Sequence, residues 1–487
     1  MRWRPLRENI EALTVAILLA LIIRHFFVES YEIPTGSMAP GLNGLHVSPE
    51  CPNCGTKNHV GISSDSLTNR IQFRNFLEIY DGICPVKSIP IKVVTSGKPN
   101  ISCPVCKQSH STAGSLRRAQ ATAIRAWCRE CTYIFPVVVE HSDILGGNKI
   151  LVDKFAYDWQ DPNRWDVVVF KFNRERNYIK RLIGLPGETI QVIDGDIWID
   201  GKLEAKPIDV QSHFWTLIHD SAVEEAGLID SPWIASAGWT PKGGGWGFNQ
   251  LQGKGELRYT RSIDNRYNYN SIKHSSRPVG PVRDISLKTT LNASRGRNHS
   301  PARLNISIWN HPSEYRVSFP FGSGDTELLL LRPEQETVSL GRVSDFVLKP
   351  GHDYQIDAQI VDRTMRLIID GEVVANVKLP VSELDSGTRG IESNQPASGF
   401  SISAINCGGQ IQSVQLYRDQ HWTQAAQHAT SKPFKIEKER YFVLGDNSPS
   451  SLDSRWWGSF GKSNLLGRGF SIFWPALPGR NESGFIR

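Results

Sequence analysis

Methionine is scarce in this chain, with three residues against 14 tryptophans in 487. Met is the flexible gap-filler of adaptable cores, so its scarcity beside so many rigid rings points to a stiff, β-rich interior. Surplus charge is also missing. A net charge of +6 over this length does not demand a nucleic-acid partner and none is expected, though it would suit an anionic membrane surface. Wholesale disorder is excluded by a hydrophobic content of 39% against 21% charged, which is ordinary for globular chains. Cysteine is sparse as well. Six of the eight cysteines fall in C-x-x-C pairs, which favours metal over a disulfide-stapled miniprotein. The length exceeds one compact core and predicts two to four domains.

What is present begins with an N-terminal apolar run. Arg2, Arg4 and Arg7 precede Ala12–Ile23, and after Arg24 and His25 the run ends in Phe26-Phe27-Val28. About 17 residues is the short end of what spans a bilayer as a helix, with Arg24 placed to snorkel to the headgroups. Val28-Glu29-Ser30-Tyr31 is a poor small-x-small cleavage site, so an uncleaved anchor is expected and not a cleaved signal peptide. The arginines before the span place the N-terminus in the cytoplasm. A single-pass protein of the cytoplasmic (inner) membrane follows, its body on the far side and a lipid bilayer among its partners.

Composition then divides the chain into an anchor (1–29), a first core piece (30–48), a Cys-rich insertion (49–140), a second core piece (141–207), a large insertion (208–432), a third core piece (433–478) and a tail (479–487). Strands are expected at Ile150–Val152, Val167–Phe170 and Tyr441–Leu444. Asp194-Gly195 and Asp200-Gly201 mark the tight turns of a meander. Within the large insertion, period-two alternation at Leu304, Ile306 and Ile308, at Tyr354, Ile356 and Ala358, and at Met365, Leu367 and Ile369 predicts a β-sandwich.

Three stretches carry chemistry. Ile33-Pro34-Thr35-Gly36-Ser37-Met38-Ala39-Pro40 follows the apolar run, and alone it reads as a turn. Lys180 lies in Tyr178-Ile179-Lys180-Arg181-Leu182-Ile183-Gly184, and alone it reads as an ordinary strand lysine. Gly445-Asp446-Asn447 leads to Ser451, Asp453, Ser454 and Arg455. Read together, they propose a Ser hydroxyl activated by a Lys amine. That pair works only if the ammonium is desolvated enough to lower its pKa toward neutrality.

In order and content these stretches resemble the nucleophile, general-base and C-terminal boxes of bacterial type I signal peptidases. Asn148–Val152 and Trp165–Phe170 resemble the strands between, and the resemblance covers somewhat under half the chain. It implies an antiparallel β peptidase core that needs no cofactor for catalysis. It implies a serine endopeptidase cutting leader peptides from exported preproteins after small residues (Ala-x-Ala). Ser37 would be the nucleophile and Lys180 the base. Thr35, Gly36 and the Ser37 N–H would form the oxyanion turn. Ser451 would orient the lysine, Asp453 and Arg455 would pair beside it, and Ile33, Pro34 and Met38 would line the substrate site. The sequence departs from the family pattern at Gly41 (usually Thr), Asn148 (Asp), Trp165 (Gly) and Ser448 (Arg), and none of these removes a catalytic group. Two other readings are a self-cleaving or specialised Ser/Lys peptidase, as in repressor-type relatives, and a surface carbohydrate- or protein-binding protein with a specialised or degenerate peptidase core.

The resemblance says nothing about the insertions. Cys51/Cys54, Cys103/Cys106 and Cys128/Cys131 admit a ribbon-type structural zinc site built from two of the three pairs, or disulfides. Either the first or the second pair can combine with Cys128/Cys131. Cys84 and Cys407 read as single buried thiols. The 208–432 strand pattern resembles concanavalin-like or laminin-G-like sandwiches, a docking or shielding module for a carbohydrate or protein ligand. The fold class expected is therefore mainly β, with an N-terminal transmembrane helix, a peptidase core, a zinc-ribbon-like insertion and an inserted sandwich.

Overall fold

The computed structural model describes residues 8–18, 28–62, 64–65, 70–71, 78–83, 90–95, 100–102, 109–111, 116–118, 122–139, 141–172, 176–226, 231–270, 280–295, 301–344, 346–380, 396–474 and 484–486. The chain is mainly β, as its composition predicts. Residues 8–18 are helical and exposed. Of the rest of the expected anchor (1–29), residues 1–7 and 19–27 lie outside the described residues, and Val28 and Glu29 form the start of a strand instead of the end of a helix. Among those described, no helix is long and apolar enough to cross a membrane.

The first sheet runs in the order Val28–Glu32, Lys149–Asp153, Leu465–Trp474, Val167–Phe172, Arg176–Gly184, Arg440–Leu444 and Phe460–Gly461, with every pairing antiparallel. Its central strand is the continuous apolar run Val167-Val168-Val169-Phe170, all four buried. Such a run needs cover on both faces, and it has it. Val167 and Val169 pack with Ile33, Met38, Leu42 and Ile150, while Val168 and Phe170 pack with Leu182, Tyr441 and Phe460. The sequence-distant pieces of the core therefore meet at this strand, and Lys180 lies opposite Val168 in the ladder.

A smaller meander of Thr189–Ile193, Asp196–Ile199 and Lys202–Leu203 joins Phe434–Lys435. Asp194 and Gly195 (φ 52° and 94°) and Asp200 and Gly201 (φ 49° and 77°) make its two-residue turns. Positive φ at both central positions matches the twist of the flanking strands.

Between the first two core pieces, His46–Val47 pairs with Val60–Gly61 and Thr122–Trp127 with Ile134–Val139. Cys51, Cys54, Val60, Ile124, Cys128 and Phe135 share one small core. Among its described residues, the large insertion is a 13-stranded hydrogen-bonded sheet. It curls until Val338–Val343 and Glu372–Lys378, at opposite ends of its main strand path, lie against each other. Alternating residues of Leu304–Ile308, Tyr354–Ala358 and Met365–Ile369 fill its interior, the positions that the period-two pattern marks. Ser398–Arg418, 21 residues long, pairs with strands on both its edges throughout this sheet.

The large insertion is riveted to the core. Lys206, just past the meander, reaches Asp362 at 2.5 Å and Asp419 at 2.9 Å, with both side chains nearly fully buried. Asp196 and Asp284 lie in the same group of charges.

Candidate active site

The nucleophile turn follows Ile33, whose N–H donates to the Asn148 carbonyl at 2.9 Å. Asn148 also accepts from the Asn43 N–H, so the first and second core pieces are stitched on both sides of the turn. The Ala39 N–H donates to Gly36 O and Leu42 N–H to Met38 O, a tight bend that leaves Ser37 half-buried at its apex. Lys180 is 3% exposed, its ammonium donating to Ser37 Oγ at 2.6 Å and to the Ile179 carbonyl at 2.9 Å. Residues 143 apart in sequence are thus in hydrogen-bond contact.

Burial lowers the Lys180 pKa to about 8, against the opposing pull of Asp453 and Asp446. Neither carboxylate is free to hold the ammonium strongly. Asp453 pairs with Arg455 at 2.7 Å, and Asp446 pairs with Arg181 at 2.8 Å. Desolvation therefore wins. An amine with this pKa can accept the Ser hydroxyl proton near neutral pH.

The remaining expected residues divide. Asp453 and Arg455 form the buried ion pair. Asp453 also accepts from the Gly445 and Arg455 N–H groups, and Arg455 reaches Thr423 and Ser448. Ser448, where the family pattern has Arg, thus accepts from Arg455 Nη1 at 2.6 Å. Ser451 is buried, but its hydroxyl makes no hydrogen bond among the described residues. The lysine is instead steered by the Ile179 carbonyl. Thr35 and Pro34 are exposed at the turn. Ile33 and Met38 are buried, Met38 at 0%, and pack into the core beneath the turn instead of presenting surface to solvent. Large apolar side chains next to a buried strand serve as core first.

Two partners go beyond what the motifs indicate. Arg181 is clamped bidentately by Asp446, through Nε to Oδ1 at 2.9 Å and Nη2 to Oδ2 at 2.8 Å. Asn447 donates from its N–H to Ser37 O at 3.0 Å and from its amide to Gly36 O at 2.8 Å. Both Asp446 and Asn447 stand in the Gly445-Asp446-Asn447 box, but local sequence does not show whom they meet.

In the Cys-rich insertion, the first and last pairs come together. Cys51 Sγ lies 3.5 Å from Cys131 Sγ, and Cys54 Sγ lies 3.5 Å from Cys128 Sγ. All four are free thiols, and the four sulfurs all lie within 4.8 Å of one another. Four thiolates at about 2.3 Å from a tetrahedral ion need sulfurs roughly 3.8 Å apart, so the set fits a zinc-sized ion. It leaves no open position for substrate. Cys103, Cys106 and Cys84 lie outside the described residues, and Cys407 is a buried thiol in the large insertion's core.

The family described as "Signal peptidase, peptidase S26" matches residues 130–216 and 359–474, which contain Lys180 and the Asp446–Arg455 box. Over these two stretches the chain is similar to the signal peptidases. It is 44% identical over 61 residues to signal peptidase I V of Bacillus subtilis, 12% of this chain and 36% of that one. It is 30% identical over 127 residues to signal peptidase I of Leptolyngbya laminosa, 24% of this chain and 61% of that one. The chain spans about a third of the length of the first curated relatives it matches. Among solved structures, a carbohydrate-binding module from Bacillus subtilis aligns over 39% of this chain and 93% of its own at 8% identity, with a TM-score of 0.25. That is too low to support an argument about the insertion.

Proposed function

We propose that this chain is a membrane-tethered serine endopeptidase of the signal peptidase I type, removing leader peptides from exported preproteins after small residues. The 2.6 Å contact between Lys180 Nζ and Ser37 Oγ, with the amine desolvated, carries the proposal. Neutral Lys180 takes the Ser37 proton as Oγ attacks the scissile carbonyl. The Ser37 N–H and Thr35 hydroxyl hold the resulting oxyanion. The ammonium then protonates the leaving amine, giving an acyl ester on Ser37, and neutral Lys180 next deprotonates the water that releases the leader. Ile33 and Met38 shape the substrate site from beneath, and Pro34 from its exposed rim.

The run from Ala12 to Phe27 is the proposed anchor, with the N-terminus cytoplasmic and the active site on the outer side. Cys51, Cys54, Cys128 and Cys131 are proposed to hold one structural zinc, which would tie the loop after the nucleophile turn to the Thr122–Val139 hairpin. The large insertion is proposed as a concanavalin-like docking or shielding module for a carbohydrate or protein ligand. A binding protein with a degenerate core is disfavoured by the assembled Ser–Lys pair.

The experiment is incubation of the detergent-solubilised full chain with a preprotein, followed by sequencing of the product N-terminus. A single new N-terminus after a small-x-small motif, absent with Ser37→Ala, is expected. Equal cleavage by Ser37→Ala, or none by the unaltered chain, would overturn the proposal.

A further inference from the structure

The cover over the nucleophile turn does not come from the core sheet. It is the stretch Tyr267–Asn270 of the large insertion. The Tyr267 hydroxyl lies 2.9 Å from Gln420 Oε1 and 3.2 Å from the Asp446 carbonyl. Behind it, the buried Arg418 guanidinium stacks on the ring at 4.2 Å and donates to Arg266 O. Tyr269 donates from its hydroxyl to Leu45 O at 3.1 Å, and its main-chain carbonyl accepts from the Gly61 N–H at 2.7 Å. Its ring lies against Gly36 so closely that a Cβ at Gly36 would clash with it. Asn270 and Asn447 exchange a pair of amide hydrogen bonds, each 2.8 Å.

Asn447 holds the carbonyls of both Gly36 and Ser37. The Gly36 C=O and the Ser37 N–H belong to one planar trans peptide unit and point in opposite directions. Whatever fixes Gly36 O therefore aims the Ser37 N–H. Asn447 Nδ2 donates to both Gly36 O and Asn270 Oδ1, while Asn270 Nδ2 holds the Asn447 Oδ1 on the other side. Turned over, the amide would set an oxygen against an oxygen.

We propose that Asn270 and Tyr269 of the insertion are positioning residues for the peptidase reaction. Asn270 acts through Asn447 and Tyr269 through packing on Gly36, and together they hold the Ser37 N–H where the oxyanion forms. The inference rests on the peptidase reading above, and it makes the insertion part of the catalytic apparatus.

The test uses the full chain and a preprotein. Asn270→Ala should lower kcat by about 10- to 100-fold, less than the roughly 100- to 1000-fold cost of removing an oxyanion donor outright, with KM within about threefold because ground-state binding is untouched. The ascending limb of its pH profile should stay with that of the unaltered chain, because Lys180 keeps its surroundings. The double variant Asn270→Ala/Asn447→Ala should lose no more than Asn447→Ala alone, as expected for two residues acting as one unit. Ile234→Ser, at an exposed position elsewhere on the insertion, should keep kcat. A kcat for Asn270→Ala within twofold of the unaltered chain, or fully multiplicative losses in the double variant, overturns the proposal. Failure of the peptidase reading looks different, since either the unaltered chain then does not cleave or Ser37→Ala cleaves as well as it does. Hydrogen exchange over residues 33–45 decides the inference in that case. Faster exchange in Asn270→Ala supports it, and unchanged exchange overturns it.

Discussion

Lys180 and Lys206 are both buried, at 3% and 5% exposed, and the fold drives them in opposite directions. Around Lys180, burial is the largest influence and the pKa falls to about 8. The two nearby carboxylates are already held by Arg455 and Arg181. Around Lys206, burial also pulls the pKa down, but Asp419, Asp362, Asp196 and Asp284 outweigh it and push it well above the lysine range. One lysine is left able to lose its proton and the other is locked as a cation. Carboxylates within reach do not decide the outcome. What differs is contact, since Asp362 and Asp419 bond Lys206 directly while the carboxylates near Lys180 are bonded to arginines instead.

The largest expected effect breaks the first half of this comparison. Ser37→Ala and Lys180→Arg should each remove cleavage, by about 1000-fold or more, because nucleophile and base act as a unit and a guanidinium cannot be deprotonated at working pH. Steady-state assay of folded variants checks this.

The second half predicts a stability effect instead. Lys206→Met leaves Asp362 and Asp419 without their cation, and breaking a buried pair from one side costs about 3–5 kcal/mol. Denaturant unfolding should show that loss, while molecules that remain folded keep the pH profile of the unaltered chain.

Chelation should have a smaller and local effect. Removing metal from the four-thiolate cluster should open Thr122–Val139 to proteolysis, because binding of such an ion is coupled to local folding. Cleavage should fall only in part, through the short link from Leu42 to Cys51.

The smallest effect is a pH dependence of the rivet. Asp196 is raised to about 7 by burial and then by Asp362 and its neighbours. A carboxyl raised in the folded state binds its proton more tightly there, so its stabilising contribution is complete below the ordinary carboxyl range and is lost as pH rises through about 7. Asp196→Asn cannot ionise, and it should gain stability relative to the unaltered chain between about pH 4 and pH 8. Paired unfolding curves check this.

What the sequence disclosed follows from range. The turns at Asp194-Gly195 and Asp200-Gly201 and the buried run Val167–Phe170 are local patterns, and each forms as read. Ser37, Lys180 and the Asp453–Arg455 pair were legible because motif order stands in for the geometry that separates them in sequence. Side-chain direction was less so. Ile33 and Met38 flank the nucleophile in sequence, yet they point into the core. The cysteine spacings defined knuckles, but only tertiary contact could show that the first pair, and not the second, meets Cys128 and Cys131. Arg181–Asp446, Asn270–Asn447 and Lys206–Asp362 join residues 265, 177 and 156 positions apart, and no local pattern specifies such partners.

The central claim is that burial, with its carboxylates already spent on arginines, makes Lys180 a base. The most direct measurement is kcat/KM for preprotein cleavage from pH 6 to pH 10. Activity should rise with pH through a single ionisation near 8, as the neutral amine becomes populated. A profile flat across that range, or one rising only toward the ordinary lysine value of about 10.4, would contradict it.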